Sequence, residues 1–110
     1  MRRLKRPPLA VVLLVAALIA PAVQADPLAS GRLLFKQSAV PACALCHALT
    51  DAQAEGAIGP SLDELKPDAA RVAKALRNGI GQMPSYRDKL SEQQIEALSR
   101  YVAKASGATR

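Results

Sequence analysis

Cys43-Ala44-Leu45-Cys46-His47 places both cysteines and the single histidine of a 110-residue chain within five positions. Two thiols with two residues between them, followed at once by an imidazole, admit few chemistries. A thiol–disulfide redox pair belongs after a strand in a βαβ context, and no such context is legible here. A zinc site takes a fourth ligand, usually from a second Cys/His pair, and the chain has none. A structural disulfide suits an exported protein but leaves His47 without a role. The remaining chemistry uses all three residues, because this spacing is the attachment pattern of c-type haem. Each sulfur forms a thioether to one haem vinyl group. The two intervening residues let the chain turn so that both sulfurs reach the same porphyrin edge, and His47 then approaches the iron from that side.

An iron held by one histidine has a second axial position, which a sulfur or nitrogen donor fills when the iron is six-coordinate. There is no second His, and Met1 aside, Met83 is the one methionine. A lone Met is commonly core filler. Here it lies in a Gly-containing loop before Pro84, which biases Met83 to an extended backbone and aims its side chain out of the loop. Met83 is therefore the candidate sixth ligand. Gly59-Pro60 is a third element. A metal-bound imidazole usually hands its other N–H to an acceptor, and proline, which lacks an N–H, offers only its carbonyl. The same dipeptide also serves as an ordinary turn.

Three helices must position these residues. The first spans residues 27–37, with Asp26 as its cap, Pro27 at its first position, and Leu28, Gly31, Leu34 and Phe35 on one face. A glycine inside a helix costs about 1 kcal/mol relative to Ala, a cost that makes sense where another helix crosses closely. The second spans 67–78, with Ala69, Val72, Ala73 and Leu76 inward and Arg71, Lys74 and Asn78 on the opposite face. The third spans 91–106, with a Ser91/Gln94 capping box, Leu90 stapled onto Ile95, and Ile95, Leu98, Val102 and Ala105 buried. No strand signal is present. Residues 38–66 read as one long loop, which in a compact domain is usually functional or disordered.

Composition sets the frame. Half of the chain is apolar, yet its aromatics are only Phe35, Tyr86 and Tyr101, and its net charge is +6. A basic start (Arg2, Arg3, Lys5, Arg6), the apolar run 9–20 and the exit Val23-Gln24-Ala25 form a secretory signal peptide over residues 1–25. The run is short for a membrane span and Pro21 interrupts it. Cleavage leaves residues 26–110, with 11 Lys/Arg against 9 Asp/Glu, a net charge of +2. Nucleic-acid binding, which draws on phosphate neutralisation, loses its support. A domain this small needs an internal staple, and its apolar residues include sixteen Ala.

Helix one with Gly31 and Phe35, then Cys43-Ala44-Leu45-Cys46-His47, Gly59-Pro60-Ser61-Leu62, Met83-Pro84, and Leu98 and Tyr101 in the last helix stand in one order. In that order the chain resembles class I c-type cytochromes, the small monohaem bacterial kind, over nearly all of residues 26–110. The resemblance implies an all-α cytochrome c fold of three main helices plus loops wrapped around one covalently bound haem. It implies that Cys43 and Cys46 carry haem c, that His47 is the proximal ligand and Met83 the distal one, and that Pro60 offers its carbonyl to His47. It further implies that the first and last helices cross near Gly31, packing Phe35 against Leu98 and Tyr101.

The expected function is a periplasmic one-electron carrier without catalytic residues, working between redox protein partners as a monomer or as part of a hetero-complex. Residues 66–89 hold six basic residues and two acids, which suits an acidic partner and equally an ordinary solvated surface. The alternative is the haem-bearing subunit of a larger periplasmic dehydrogenase. A gas-binding or sensing module needs an open sixth position, which ligation by Met83 would close.

Overall fold

The apolar stripes on the first and last helices are both interrupted by small residues, and that is where the two helices meet. The computed structural model describes residues 2–5, 15–21 and 26–109. The apolar stretch 9–14 and the exit residues Val23, Gln24 and Ala25 lie outside the described residues. Residues 15–21 are exposed and form no helix. Among the described residues no helix is long and apolar enough to cross a membrane.

Four α-helices carry the fold: α1 (Ala29–Leu33), α2 (Leu62–Leu65), α3 (Ala69–Asn78) and α4 (Glu92–Ser106). The first helix differs from its expected form at both ends. It starts two residues later than 27, and Asp26 is not its cap. Its carboxylate accepts the Leu28 N–H at 2.9 Å and pairs with Arg32 at 2.7 Å. Beyond α1 the chain continues in a wider π-helical turn, Leu34–Ser38, closed by the Ala39 N–H on the Leu34 carbonyl at 3.1 Å.

The stretch expected to be irregular from 38 to 66 is more ordered than its sequence suggests. It holds a two-residue antiparallel pair, β1 (Ala48–Leu49) and β2 (Ala54–Glu55), in the register Ala48↔Glu55 and Leu49↔Ala54. It also holds the single-turn α2. A ladder of two residues is too short to show alternation, and a helix of four residues too short to show a stripe, so periodicity had nothing to detect. One carboxylate ties these pieces together: Asp63 on α2 accepts both the backbone N–H and the hydroxyl of Thr50 at 2.9 Å.

The two long helices follow their sequence signals closely. Asp68 caps α3 by accepting the Arg71 N–H. Ser91 and Gln94 form the complete capping box of α4, and Leu90 and Ile95 beside it are both buried in the main apolar cluster. α4 is the central element. It buries Ile95, Leu98, Tyr101 and Val102 as well as Ser99, Ala103 and Ser106, a wider face than the expected stripe.

At the α1–α4 crossing, a Cβ on Gly31 would stand 2.4 Å from the Tyr101 Cβ and 2.5 Å from the Ala97 carbonyl oxygen. Only a hydrogen fits there, which accounts for a glycine in mid-helix. Beyond the crossing, the fully buried rings of Phe35 and Tyr101 meet edge to face, with centroids 6.0 Å apart. The Tyr101 hydroxyl donates to Asp51 at 2.6 Å, and Arg32 stacks over the same ring while bonding Asp51 at 3.1 Å. These partners, Tyr101 first and then Arg32, hold the Asp51 carboxyl below its usual range.

Gly31→Ala is expected to lower stability. The clashing atoms are a Cβ and a backbone oxygen, which cannot rotate away. The upper end of the overpacking cost, about 3 kcal/mol, therefore outweighs the roughly 1 kcal/mol gained in helix propensity. Denaturant unfolding followed by circular dichroism measures the difference. Asp51 predicts a pH dependence of definite sign. A carboxyl whose folded pKa is depressed adds stability above its unfolded value of about 3.9 and loses it as pH falls through the folded value. Unfolding midpoints collected from neutral to strongly acidic pH are expected to fall more steeply on acidification for the native chain than for Asp51→Asn.

Candidate haem site

A short 3-10 turn, Cys43–Leu45, brings the three reactive side chains together. The Cys46 and His47 N–H groups both donate to the Cys43 carbonyl, at 3.1 and 2.9 Å. Folding the motif back on itself in this way turns both thiols and the imidazole toward one cavity of about 670 Å³, within the roughly 300–1,000 Å³ range of cofactor pockets. The thiols are not joined in a disulfide. Burial pushes the Cys43 thiol up to about 11, whereas redox-active cysteine pairs work through a lowered thiol pKa.

The orientation of His47 is set by the segment that follows β2. Its Nδ1 lies 2.8 Å from the Pro60 carbonyl oxygen. That oxygen can only accept, so Nδ1 carries the hydrogen and the lone pair resides on Nε2. The contact needs the two chains to lie very close. The Gly59 N–H donates to the Cys46 carbonyl at 2.7 Å. A Cβ on Gly59 would stand 2.6 Å from the imidazole Cε1, and one on Gly56 would stand 2.6 Å from the Cys46 carbonyl carbon and the His47 nitrogen. Gly59-Pro60 is therefore a positioning element in addition to being a turn. Gly56 is a member of it that the sequence did not single out, since a glycine three residues before a Gly-Pro looks like any loop glycine.

Met83 lines the same cavity from the other side of the sequence, half-buried, in the loop between α3 and α4. Its backbone pairs in both directions with Ile80, at 2.9 and 3.1 Å, which makes the tight reversal that presents the side chain. Thus all five expected residues, Cys43, Cys46, His47, Pro60 and Met83, border one cavity. Two further groups border it that sequence reasoning missed or misread. Tyr86, only 3% exposed, donates its hydroxyl to the Pro41 carbonyl at 2.5 Å, and burial pushes its phenol up to about 12. Arg71 and Lys74, expected on the solvated face of α3, stand at the cavity; among the described residues they are its only Lys or Arg, and no Asp or Glu lines it.

The residues present fit a haem. Phe35, Leu62, Val72, Leu76, Leu98 and Val102 supply apolar walls, both thiols border the cavity, and an imidazole and a thioether sulfur are available as donors. The two cations match the two carboxylates that a haem carries.

The model of the family described as cytochrome C oxidase, cbb3-type, subunit III matches residues 26–102. Among solved structures, the chain is similar to the c-type cytochrome SorU from Sinorhizobium meliloti, with 52% identity over 74% of this chain and 93% of that chain and a TM-score of 0.71. No curated protein matches. The match to SorU extends the sequence likeness to the three-dimensional fold. With the family model spanning most of the chain and the CxxCH turn at its cavity, the protein belongs to the cbb3-type cytochrome c oxidase subunit III family of c-type cytochrome domains, electron-transfer modules that carry covalent haem c.

Proposed function

We propose that this protein is a periplasmic one-electron carrier holding a single haem c through Cys43 and Cys46, with His47 and Met83 as axial ligands. The observation that carries the reading is the 2.8 Å bond from His47 Nδ1 to the Pro60 carbonyl. It leaves the Nε2 lone pair available to a metal in a cavity that both thiols and Met83 also border. A haem held by histidine and methionine supplies a reversible one-electron couple at raised potential.

The chain's own residues do the rest. Pro60 fixes the imidazole tautomer and ring plane and raises its basicity. Arg71 and Lys74 offer positive charge to the haem carboxylates. The apolar walls would exclude water from a bound macrocycle, and the lower local dielectric would tune its potential. Ile58 and Ile80 line the same cavity and are 75% and 69% exposed, forming an apolar lip where a redox partner can approach.

Export of residues 1–25 and a mature chain beginning at Asp26 form part of the proposal. Two observations support it: the family match starts at residue 26, and Asp26 already pairs with Arg32 of α1. A second reading, favoured by the family's description as an oxidase subunit, makes the protein the haem-bearing subunit of a larger oxidoreductase. Purification from the native source separates the two, since a subunit co-elutes with its catalytic partner.

The test is an optical spectrum of the secreted protein in both oxidation states, combined with its intact mass. The mass is expected to equal residues 26–110 plus one haem. The denatured pyridine adduct is expected to show a thioether-linked haem, and the ferric form a weak far-red band from sulfur ligation that Met83→Ala abolishes. Retention of that band in the variant overturns the ligand assignment. Gly59→Ala, whose methyl meets the imidazole ring, is expected to keep covalent haem and lose about 1–3 kcal/mol of stability, read from denaturant unfolding followed at the haem absorption.

A further inference from the structure

We propose that Tyr86 and Lys89 are positioning residues that latch the Met83 loop across the cavity, and that the Tyr86 hydroxyl sets how readily Met83 leaves the iron. The inference rests on the reading of Met83 as an axial ligand.

Residues 79–90 connect α3 to α4, and most of the hydrogen bonds that leave this segment lead back to α3. The Tyr86 N–H donates to the Leu76 carbonyl at 2.7 Å, the Ser85 hydroxyl to the Arg77 carbonyl at 2.6 Å, and the Arg87 guanidinium to Asn78 at 3.3 Å. These bonds shape the loop but do not hold it against the half of the molecule that carries Cys43, Cys46 and His47. Among the described residues, two hydrogen bonds cross to that half. The Tyr86 hydroxyl donates to the Pro41 carbonyl at 2.5 Å, and Lys89 Nζ donates to the Val40 carbonyl at 3.1 Å. The acceptors are consecutive carbonyls two and three residues before Cys43. The donors follow Met83 by three and six residues. The pair therefore bridges the two segments proposed to grip the iron, the Tyr86–Pro41 bond within the cavity wall and the Lys89–Val40 bond outside it.

The two bonds differ in weight. Tyr86 is buried and stays protonated far above neutral pH, so its O–H is a donor under working conditions. If the loop swings away, both the buried hydroxyl and the Pro41 carbonyl lose their partner. Lys89 is exposed, and water replaces its bond at little cost. An incoming ligand reaches the sixth position only when Met83 is off, so its apparent dissociation constant equals the intrinsic one divided by the fraction open. A single buried hydrogen bond of ordinary net worth changes that fraction about 2- to 10-fold. An exposed one, for which water can substitute, sits at the low end of that range and changes it about 2-fold.

The experiment is an imidazole titration of the ferric holoprotein at neutral pH, well below the thermal midpoint, followed by loss of the far-red sulfur band. Tyr86→Phe removes one oxygen atom and keeps the ring that packs the wall. It is expected to bind imidazole about 2- to 10-fold more tightly than the native chain, and Lys89→Met about 2-fold more tightly. A Tyr86→Phe holoprotein with an unchanged imidazole constant, even one with a lower melting temperature, overturns the proposal, because a purely structural role alters the melt and not the ligand competition. Should Tyr86→Phe fail to assemble with haem, Lys89→Met decides in the same way, an unchanged constant again overturning the latch. A native protein with no sulfur band at all refutes Met83 as ligand, and is thereby distinguished from failure of the latch alone.

Discussion

Residues 56–60 lie flat against the backbone of Cys46 and His47, and the rest of the site depends on that approach. Three contacts define it: the Gly59 N–H on the Cys46 carbonyl, the absent Cβ of Gly56 over the Cys46–His47 peptide, and the Pro60 carbonyl on His47 Nδ1. A side chain at either glycine would overlap the Cys46–His47 peptide or the imidazole ring. The small sheet is best understood through this contact. A two-residue ladder has little stability of its own. β1 leaves directly from His47 and β2 returns the chain to Gly56, so the hairpin delivers the glycines to the peptide that they must cover. Asp63 then clamps the return, holding α2 to Thr50 just after β1.

The helix crossing imposes a second constraint at a distance. Gly31 lets α1 come down onto Ala97 and Tyr101, and the same approach brings Phe35 edge-on to the Tyr101 ring. Phe35 is also a wall of the cavity, as are Leu98 and Val102 on α4. The spacing of two helices is thus transmitted directly to the dimensions of the site. The Asp51–Tyr101–Arg32 network closes the far side of this crossing. It gives a buried phenol a carboxylate partner and gives that carboxylate a guanidinium in turn. A chain poor in aromatic residues uses two of its three on this one junction.

How much of this was legible in the sequence depends on the length of the signal. Ser91 and Gln94, at capping-box spacing before a sustained apolar stripe, located α4 to within a residue. Asn78-Gly79 located the end of α3 as well. Gly31 announced a helix crossing because a mid-helix glycine is otherwise unfavourable. Cys43, Cys46, His47 and Met83, which border one cavity, could be named beforehand because few residues of their types compete with them, whereas Pro60 was named through the family resemblance. What escaped was built from contacts distant in sequence or from segments too short to carry a period. Asp26 looked like a helix cap and instead serves Arg32. Tyr86 carried no local sign that its hydroxyl would reach a carbonyl 45 residues earlier. Arg71 and Lys74 were placed on a solvated face, which is true of their α-helical phase, but a long side chain at the edge of a helix can reach both solvent and cavity.

That last point alters the meaning of the charge pattern. The acids of residues 48–65 and the bases of 66–89 look, in sequence, like two opposed surface blocks. In the folded chain two of the four acids are engaged in structural work: Asp51 accepts from Tyr101 and Arg32, and Asp63 accepts from Thr50. Among the bases, Arg77 is paired with Glu92, while Lys66, Arg87 and Lys89 donate to carbonyl oxygens. Arg71 and Lys74 stand at a cavity that no acid among the described residues lines. The positive character of the site thus comes as much from committing nearby carboxylates elsewhere as from an excess of cations. With a net charge of only +2 after residue 25, a long-range field from the whole molecule would be weak and salt-screened. Two cations at the mouth of a low-dielectric cavity act locally, where they can balance carboxylates inside it and favour an acidic surface outside it.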